Sequence, residues 1–413
     1  MLYRILHFIM TQSLHVHYRR IIIAGNIELK QNESYLIAAS HPNSFLDAIV
    51  IATVLKQPLY FLARSDVFNK KWSDFLLRKM NLIPIYRLQE GHENLTKNDV
   101  TFSSCFKILE QKGSILIFAE GISLIDKKIR PLKKGLARIG FGAEEKNHFK
   151  LNTQVIPIGI NYQKAKKFDN NILVSIQAKI PLKSYEKQYQ INSNQSYIKL
   201  NEDLLPAIKK ASIETDEESI FDFLALRINP SDYTLKTLQR LADRIEQFKK
   251  DDSKKWIELK VVIDQLAHLE KEHNIERKEG PLSFGHFFSY IALSPFAILG
   301  YLINITPFAL AKLITEYQVK LDEFYDSVRL VLGTVLWILW ATLLTFILFQ
   351  YVHPILIASP ILLFLIGKVY LFHKWITKKI KYNWAIKRLK QSTTYKEYVL
   401  AEQKLNELIL NIT

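Results

Sequence analysis

Along residues 18–185 the hydrophobic pattern switches between two regimes. Apolar runs of strand length occur at 20–24, 35–39, 59–63, 83–86, 114–118, 155–161 and 172–178. Longer amphipathic stretches at 44–55, 71–80, 99–111 and 135–145 separate them. Near-continuous apolar strands alternating with helices are what a sheet covered on both faces requires. Residues 18–196 are therefore expected to form an α/β domain with a largely parallel sheet flanked by helices.

Ahead of it, Leu2, Ile5, Leu6, Ile9 and Met10 fall on one helical face within residues 1–17. Arg4 and His7 interrupt the apolar run and no small-residue cleavage site follows, which argues against a secretory signal. A short interfacial helix is expected; packing on its own domain is the alternative. Residues 197–280 are charge-rich and helical. Ser231 or Asp232 can cap a helix to Lys250, and Asp251, Asp252 or Ser253 can cap the next, whose apolar face is Leu259, Val262, Ile263, Leu266 and Leu269. This reads as a helical hairpin insertion, either a structural strut or a lid or partner-docking arm.

Residues 281–375 change solvent. The 24 residues 328–351 carry one charge, Arg329, and can cross about 30 Å of hydrocarbon. Residues 354–372 carry one charge, Lys368, and only Val352 and His353 intervene, so two spans in a tight hairpin are expected. Trp337, Trp340, Tyr351 and Trp375 can face either the interface or protein. The stretch 284–314 holds Ser294, Pro295, Asn304, Thr306 and Pro307, and is expected as a re-entrant or interfacial element rather than a third span. From Lys368 to Lys390 there are eight Lys and Arg and no acid. That places the basic, then amphipathic, tail 376–413 in the cytoplasm, and two crossings place the N-terminal domain there too, at the inner membrane if the source is bacterial.

Composition narrows the function. With 48% apolar and 12% aromatic residues in 413, the chain is neither disordered nor low-complexity. A mean hydropathy of +0.00 averages a soluble part and a lipid-facing part. One cysteine, Cys105, excludes an internal disulfide framework and a cysteine-based zinc cluster. A net charge of +16 suits anionic lipid or phosphate; no nucleic-acid-binding motif accompanies it.

The chemistry gathers at strand ends. In Tyr35-Leu-Ile-Ala-Ala-Ser-His41-Pro-Asn-Ser-Phe-Leu-Asp47, an apolar strand is followed by a histidine, turn residues and a helix start. Six helical steps turn about 240°, so His41 and Asp47 meet only if His41 lies outside the helix. Asp47 then holds one ring nitrogen and the other serves as a base toward a hydroxyl. An isolated histidine is more often structural; the strand-end context favours function. Ser44 is near enough to be weighed as a nucleophile, but no nucleophile elbow surrounds it. A second strand end, Phe118-Ala-Glu120-Gly121-Ile-Ser123, supplies a carboxylate, a glycine and a hydroxyl. It leads into Asp126 to Arg138, with six cations against one acid. There Lys133 and Lys134 flank the helix opened by Gly135, a phosphate-suited place or simply a solvated face. A third strand ends in Arg87, suited to a phosphate or a surface ion pair. A fourth carries Pro157, a shaping residue.

As a set, over about residues 18–185, these elements resemble the four blocks of the glycerolipid acyltransferase superfamily: His41 with Asp47; Asn81 to Arg87; Phe118 to Ser123; Ile156 with Pro157. The family's commonest His–Asp spacing has four intervening residues where this chain has five. Asn81 stands where Gly is usual, and Ala119 where Pro is usual. The His-Pro-Asn-Ser-Phe-Leu-Asp form looks most like the fungal-type glycerol-3-phosphate acyltransferases and their bacterial relatives.

The resemblance implies a membrane O-acyltransferase of phospholipid synthesis. Its donor is acyl-CoA or acyl-carrier protein, and its acceptor glycerol-3-phosphate or the 1-acyl form. His41 and Asp47 are then catalytic. Arg87, Glu120, Gly121 and Ser123 bind the acceptor, with Lys133 and Lys134 added from charge alone. Neither metal nor cofactor is implied. Backbone amides of the His41 turn are candidate oxyanion donors. The alternatives are a phosphate-free lipid acceptor, or a silent lipid-binding scaffold.

Overall fold

The structure, a computed structural model, describes residues 2–25, 29–30, 32–55, 57–86, 98–166, 168–228, 232–276, 283–351 and 359–410. The chain divides into two compact units. One comprises Met1–Glu214 with Leu321–Ser327, the other Thr215–Lys320 with Val328–Thr413.

The first unit runs α1 (Leu2–His17), β1 (Tyr18–Ala24), β2 (Ser34–Ala39), α2 (Ser44–Leu55), β3 (Tyr60–Arg64), α3 (Lys71–Lys79) and β4 (Leu82–Ile85). It continues α4 (Asn98–Glu110), β5 (Ser114–Phe118), α5 (Gly135–Lys146), β6 (Thr153–Tyr162), β7 (Asn170–Ile176), β8 (Ile180–Pro181), α6 (Glu186–Ile191) and α7 (Ser193–Ala211). Among the described residues the sheet order is β1-β7-β6-β2-β5-β3-β4, with β8 beside β6. All pairs are parallel except β6 with β7 and β6 with β8. The expected α/β class, a mostly parallel sheet flanked by helices, is the fold observed. Every residue of β2 is buried, as a central strand covered on both faces demands. Its neighbours are β5 and β6, and Ala39 lies level with Phe118 and Ile158. The ends of β2 and β5 therefore open side by side, and β6 runs four residues further beside them.

Residues 197–214 belong to this unit and not to the expected insertion. Leu200, Leu204 and Ile208, four residues apart on α7, are fully buried in the cluster that also holds Leu36 and Val155. That stripe gives the helix a sheet to cover, whatever its charge. Helix α1 packs on the same unit: His7 Nε2 lies 3.0 Å from the Ala52 carbonyl, Tyr3 Oη accepts from Leu59 N at 3.1 Å, and Leu14 is fully buried. Ile5 and Phe8 remain exposed.

The second unit holds α8 (Glu218–Ala225), α9 (Leu235–Asp251), α10 (Ser253–Glu272), α11 (Phe284–Gln318), α12 (Asp322–Tyr351, whose first turn belongs with the first unit), α13 (Ser359–Lys390) and α14 (Tyr395–Leu410). Thr234, rather than Ser231 or Asp232, caps α9, its hydroxyl accepting from Thr237 N; Ser231 lies outside the described residues. Asp252 caps α10. This hairpin meets the tail: Arg227 pairs with Glu270 and Glu402, and Lys404 with Glu258.

Residues 284–314 do not break. They form most of a 35-residue helix that contains Pro295 and Pro307, one of three helices among the described residues that are apolar and long enough to cross a membrane. Prolines interrupt less in such helices because neighbours re-satisfy the freed backbone groups. The buried stripe Ala297, Gly300, Asn304, Pro307 and Ala311 is small enough for close approach. A Cβ added at Gly300 would sit 2.5 Å from the Ile366 carbonyl oxygen on α13. Trp337 Nε1 donates to Asn304 Oδ1 at 2.8 Å and Trp340 Nε1 to the Ile303 carbonyl at 2.8 Å, so both indoles face protein. Three such helices remove the premise of two crossings from which the side of the N-terminal domain was argued. The connection at Val352 and His353, with the start of the expected 354–372 span, lies outside the described residues.

Candidate active site

The site is built where β2 and β5 end, beside the last residues of β6. After Ala39 the chain leaves the sheet, pinned by Ser40: its N–H donates to the Ile158 carbonyl at 3.0 Å, and its hydroxyl accepts from Ile160 N at 2.9 Å. Pro42 and Asn43 turn, Ser44 adopts a positive φ of 48°, and α2 begins. His41 thus stays outside the helix while Asp47 occupies its first turn. His41 Nδ1 lies 3.0 Å from Asp47 Oδ2.

Asp47 is fully buried and triply held. Asn43 N donates to Oδ2 at 2.8 Å, much as the acidic member of a capping box does, and Tyr162 Oη donates to Oδ1 at 2.6 Å. An acceptor-only carboxylate at Nδ1 fixes the imidazole tautomer with its proton on that nitrogen, leaving the Nε2 lone pair as the base. The His41 ring stacks on Phe118, with centroids 3.7 Å apart and planes 7° from parallel. Only 14% of the side chain is exposed.

Burial, and beside it the Asp47 carboxylate, pushes the Tyr162 phenol well above its ordinary pKa, so it is a neutral donor wherever enzymes work. Sequence reasoning missed Tyr162. Its signal was positional only: it closes the strand beside β2, four residues beyond the level of Ala39.

The second strand end laces onto the first. Ser44 N donates to Ser123 Oγ at 2.8 Å, and Leu124 N to the His41 carbonyl at 3.3 Å. Gly121 takes a φ of 72°, which a side chain would strain, and its N–H donates to the Phe118 carbonyl at 3.0 Å. Glu120 is buried, with Oε2 accepting from Arg130 N at 2.9 Å. Burial raises its carboxyl pKa; the amides of Arg130 and His41 oppose the rise. Glu120, Gly121 and Ser123 are thus brought against His41.

The other sequence candidates fare differently. Lys133 is exposed, and its stem runs past Gly121, where an added Cβ would sit 3.3 Å from Lys133 Cγ. Lys134 turns its ammonium to Asn194 Oδ1 at 2.8 Å, on α7. Arg87 lies outside the described residues. The turn amides expected as oxyanion donors are committed elsewhere: Asn43 N to Asp47 and Ser44 N to Ser123. Among the described residues no group of three or more His, Cys, Asp or Glu is placed to hold a metal ion.

Fold and site together define an α/β protein with a carboxylate-held histidine at a strand end, the arrangement of a general base. Residues 20–161 match the family model Acyltransferase, a stretch from β1 to the penultimate residue of β6 that includes both His41 and Asp47. No curated protein matches the chain. Among solved structures, the 1-acyl-sn-glycerophosphate (LPA) acyltransferase PlsC from Thermotoga maritima is similar at 16% identity, over 45% of this chain and 69% of that one, with a TM-score of 0.32.

Proposed function

We propose that the chain is a membrane O-acyltransferase that moves a fatty acyl group from a thioester donor, acyl-CoA or acyl-carrier protein, to glycerol-3-phosphate or its 1-acyl form. The observation that carries the reading is the buried, triply held Asp47 at 3.0 Å from His41 Nδ1, inside the stretch matched by the acyltransferase family. His41 Nε2 takes the acceptor hydroxyl proton as the oxygen attacks the thioester carbonyl. The new C–O bond forms, the C–S bond breaks, and His41 returns its proton to the leaving thiolate. Glu120, Gly121 and Ser123 line the acceptor side, with Lys133 beside Gly121 as the cation for phosphate. Lys134 and Arg87 stand further from support, the first by its Asn194 contact and the second by lying outside the described residues.

The lipid product explains the apolar helices. Each buried methylene contributes about 0.8 kcal/mol to membrane partition, so synthesis at the bilayer avoids releasing the product through water. In this reading the first unit faces the compartment that holds the thioester, the cytoplasm, and three crossings then put the basic tail on the other face, against the side that its charge suggested.

The deciding experiment incubates purified full-length protein with radiolabelled acyl donor and glycerol-3-phosphate, 1-acylglycerol-3-phosphate or a phosphate-free lipid alcohol. Product with a phosphorylated acceptor, abolished by His41→Ala at unchanged membrane insertion, is expected. Full activity in His41→Ala would overturn the base. Turnover of the phosphate-free acceptor alone would transfer the reading to that class, and no turnover with any acceptor would favour a silent scaffold.

A further inference from the structure

Helix α3 turns its apolar side the wrong way for a domain that lives in water. At about 100° per residue, Trp72, Phe75 and Leu76 share one side and Ser73, Asp74 and Leu77 the other. The half-buried side is that of Ser73, Asp74 and Leu77. Trp72 and Phe75 are 66% and 65% exposed, and no residue of the helix is buried. Val67, in the single 3-10 turn just ahead (Ser65–Phe68), is exposed as well. An amphipathic helix that only sought a core would lie the other way round.

The surrounding charge says what covers this face. Lys70, Lys71, Arg78 and Lys79 are all exposed around it, and the Lys79 ammonium sits 5.5 Å from the Phe75 ring centroid. Large aromatics ringed by long cationic side chains match the boundary between lipid headgroups and acyl chains. There the rings enter the apolar layer while the cations reach phosphate. An acidic carrier protein would answer the cations and leave Trp72 and Phe75 without an apolar counterpart.

We propose that α3 seats on an anionic lipid surface, with Trp72, Phe75 and Leu76 in the headgroup–acyl boundary and Lys71 and Lys79 on lipid phosphates. The bilayer is at hand because the described residues include three apolar helices long enough to span it. The inference rests on that membrane reading and is independent of acyl transfer.

A single cysteine tests it. Cys105 is fully buried, so Phe75→Cys places one reactive thiol on the outward face of α3, and Lys187→Cys places one at an exposed position of α6 as a water reference. Each full-length variant is spin-labelled and reconstituted in nanodiscs of phosphatidylcholine with phosphatidylglycerol. Collision rates with oxygen and with a water-soluble nickel chelate are then measured. Retention of the protein in the nanodisc reports the spans, whatever the label shows. The expected result is an oxygen-to-nickel ratio several-fold higher at position 75 than at 187, reduced by Lys71→Glu with Lys79→Glu. Equal ratios at both positions in retained protein overturn the proposal. So does a water-like label at 75 that becomes shielded only when acyl-carrier protein is added, which would make the face a protein dock.

Discussion

Asn43 Nδ2 donates a 3.0 Å hydrogen bond to Asp326 Oδ2, joining the turn beside His41 to the first turn of α12 across 283 residues of chain. Asn43 and Asp326 are both buried, and the same Asp326 oxygen accepts from Lys166 N at 2.8 Å. Asn43 in turn gives its own N–H to Asp47. The turn that carries His41 is thus held from a residue that no local reading of residues 18–185 includes. Asp326→Ala should lower stability by about 1–3 kcal/mol, because it strips the acceptor from the buried Asn43 Nδ2 as well as from Lys166 N. Asn43→Ala with Asp326→Ala should cost less than the sum of the two single changes. Thermal unfolding of the four proteins in one detergent checks this; strict additivity would mean that the pair is not coupled.

Tyr162→Phe removes the donor from Asp47 Oδ1 while keeping the ring. Hydrogen bonds to a charged group contribute about 1.5–3 kcal/mol, so turnover should fall on the order of 10–100-fold if Asp47 is loosened in the rate-limiting step. The acceptor KM should stay unchanged, since Tyr162 acts through Asp47. Steady-state kinetics on both substrates measures the fall, and a wild-type near-UV circular dichroism spectrum separates it from a general loss of fold, which would also leave both KM values unchanged.

Glu120 gives stability a pH dependence with a definite sign. Its folded pKa is raised above the ordinary 4.5, first by burial. Between 4.5 and the raised value the unfolded chain therefore holds fewer protons than the folded one. Its contribution is fully present below 4.5 and is lost as pH climbs through the folded value. Glu120→Gln cannot ionise, so the Tm of the variant should gain on that of the wild type as pH rises across this window. A Tm difference independent of pH would show that Glu120 titrates alike in both states.

Gly159 has no room for a side chain. A Cβ there would sit 2.2 Å from the Ala211 carbonyl oxygen at the end of α7. Gly159→Ala should push α7 away from β6 and cost about 1–3 kcal/mol as overpacking. Denaturant unfolding measures it, and an unchanged midpoint would mean that α7 yields freely.

What local pattern can encode, the sequence carried. Strand β5 and helix α2 sit where the apolar runs placed them, because a buried strand needs contiguous apolar residues and a helix needs its cap and period. The meeting of His41 with Asp47 was also legible, since only one bend separates them. Tertiary structure alone decided the rest. It brought Tyr162 and Asp326 to the dyad by setting β6 beside β2 and folding the start of α12 against the turn, pairings between residues more than a hundred positions apart. It claimed residues 197–214 for the sheet, because burying Leu200, Leu204 and Ile208 outweighs a charge-rich surface. It also kept α11 whole through two prolines. Composition suggests a break at a proline; the neighbours that satisfy the freed backbone groups appear only once helices pack.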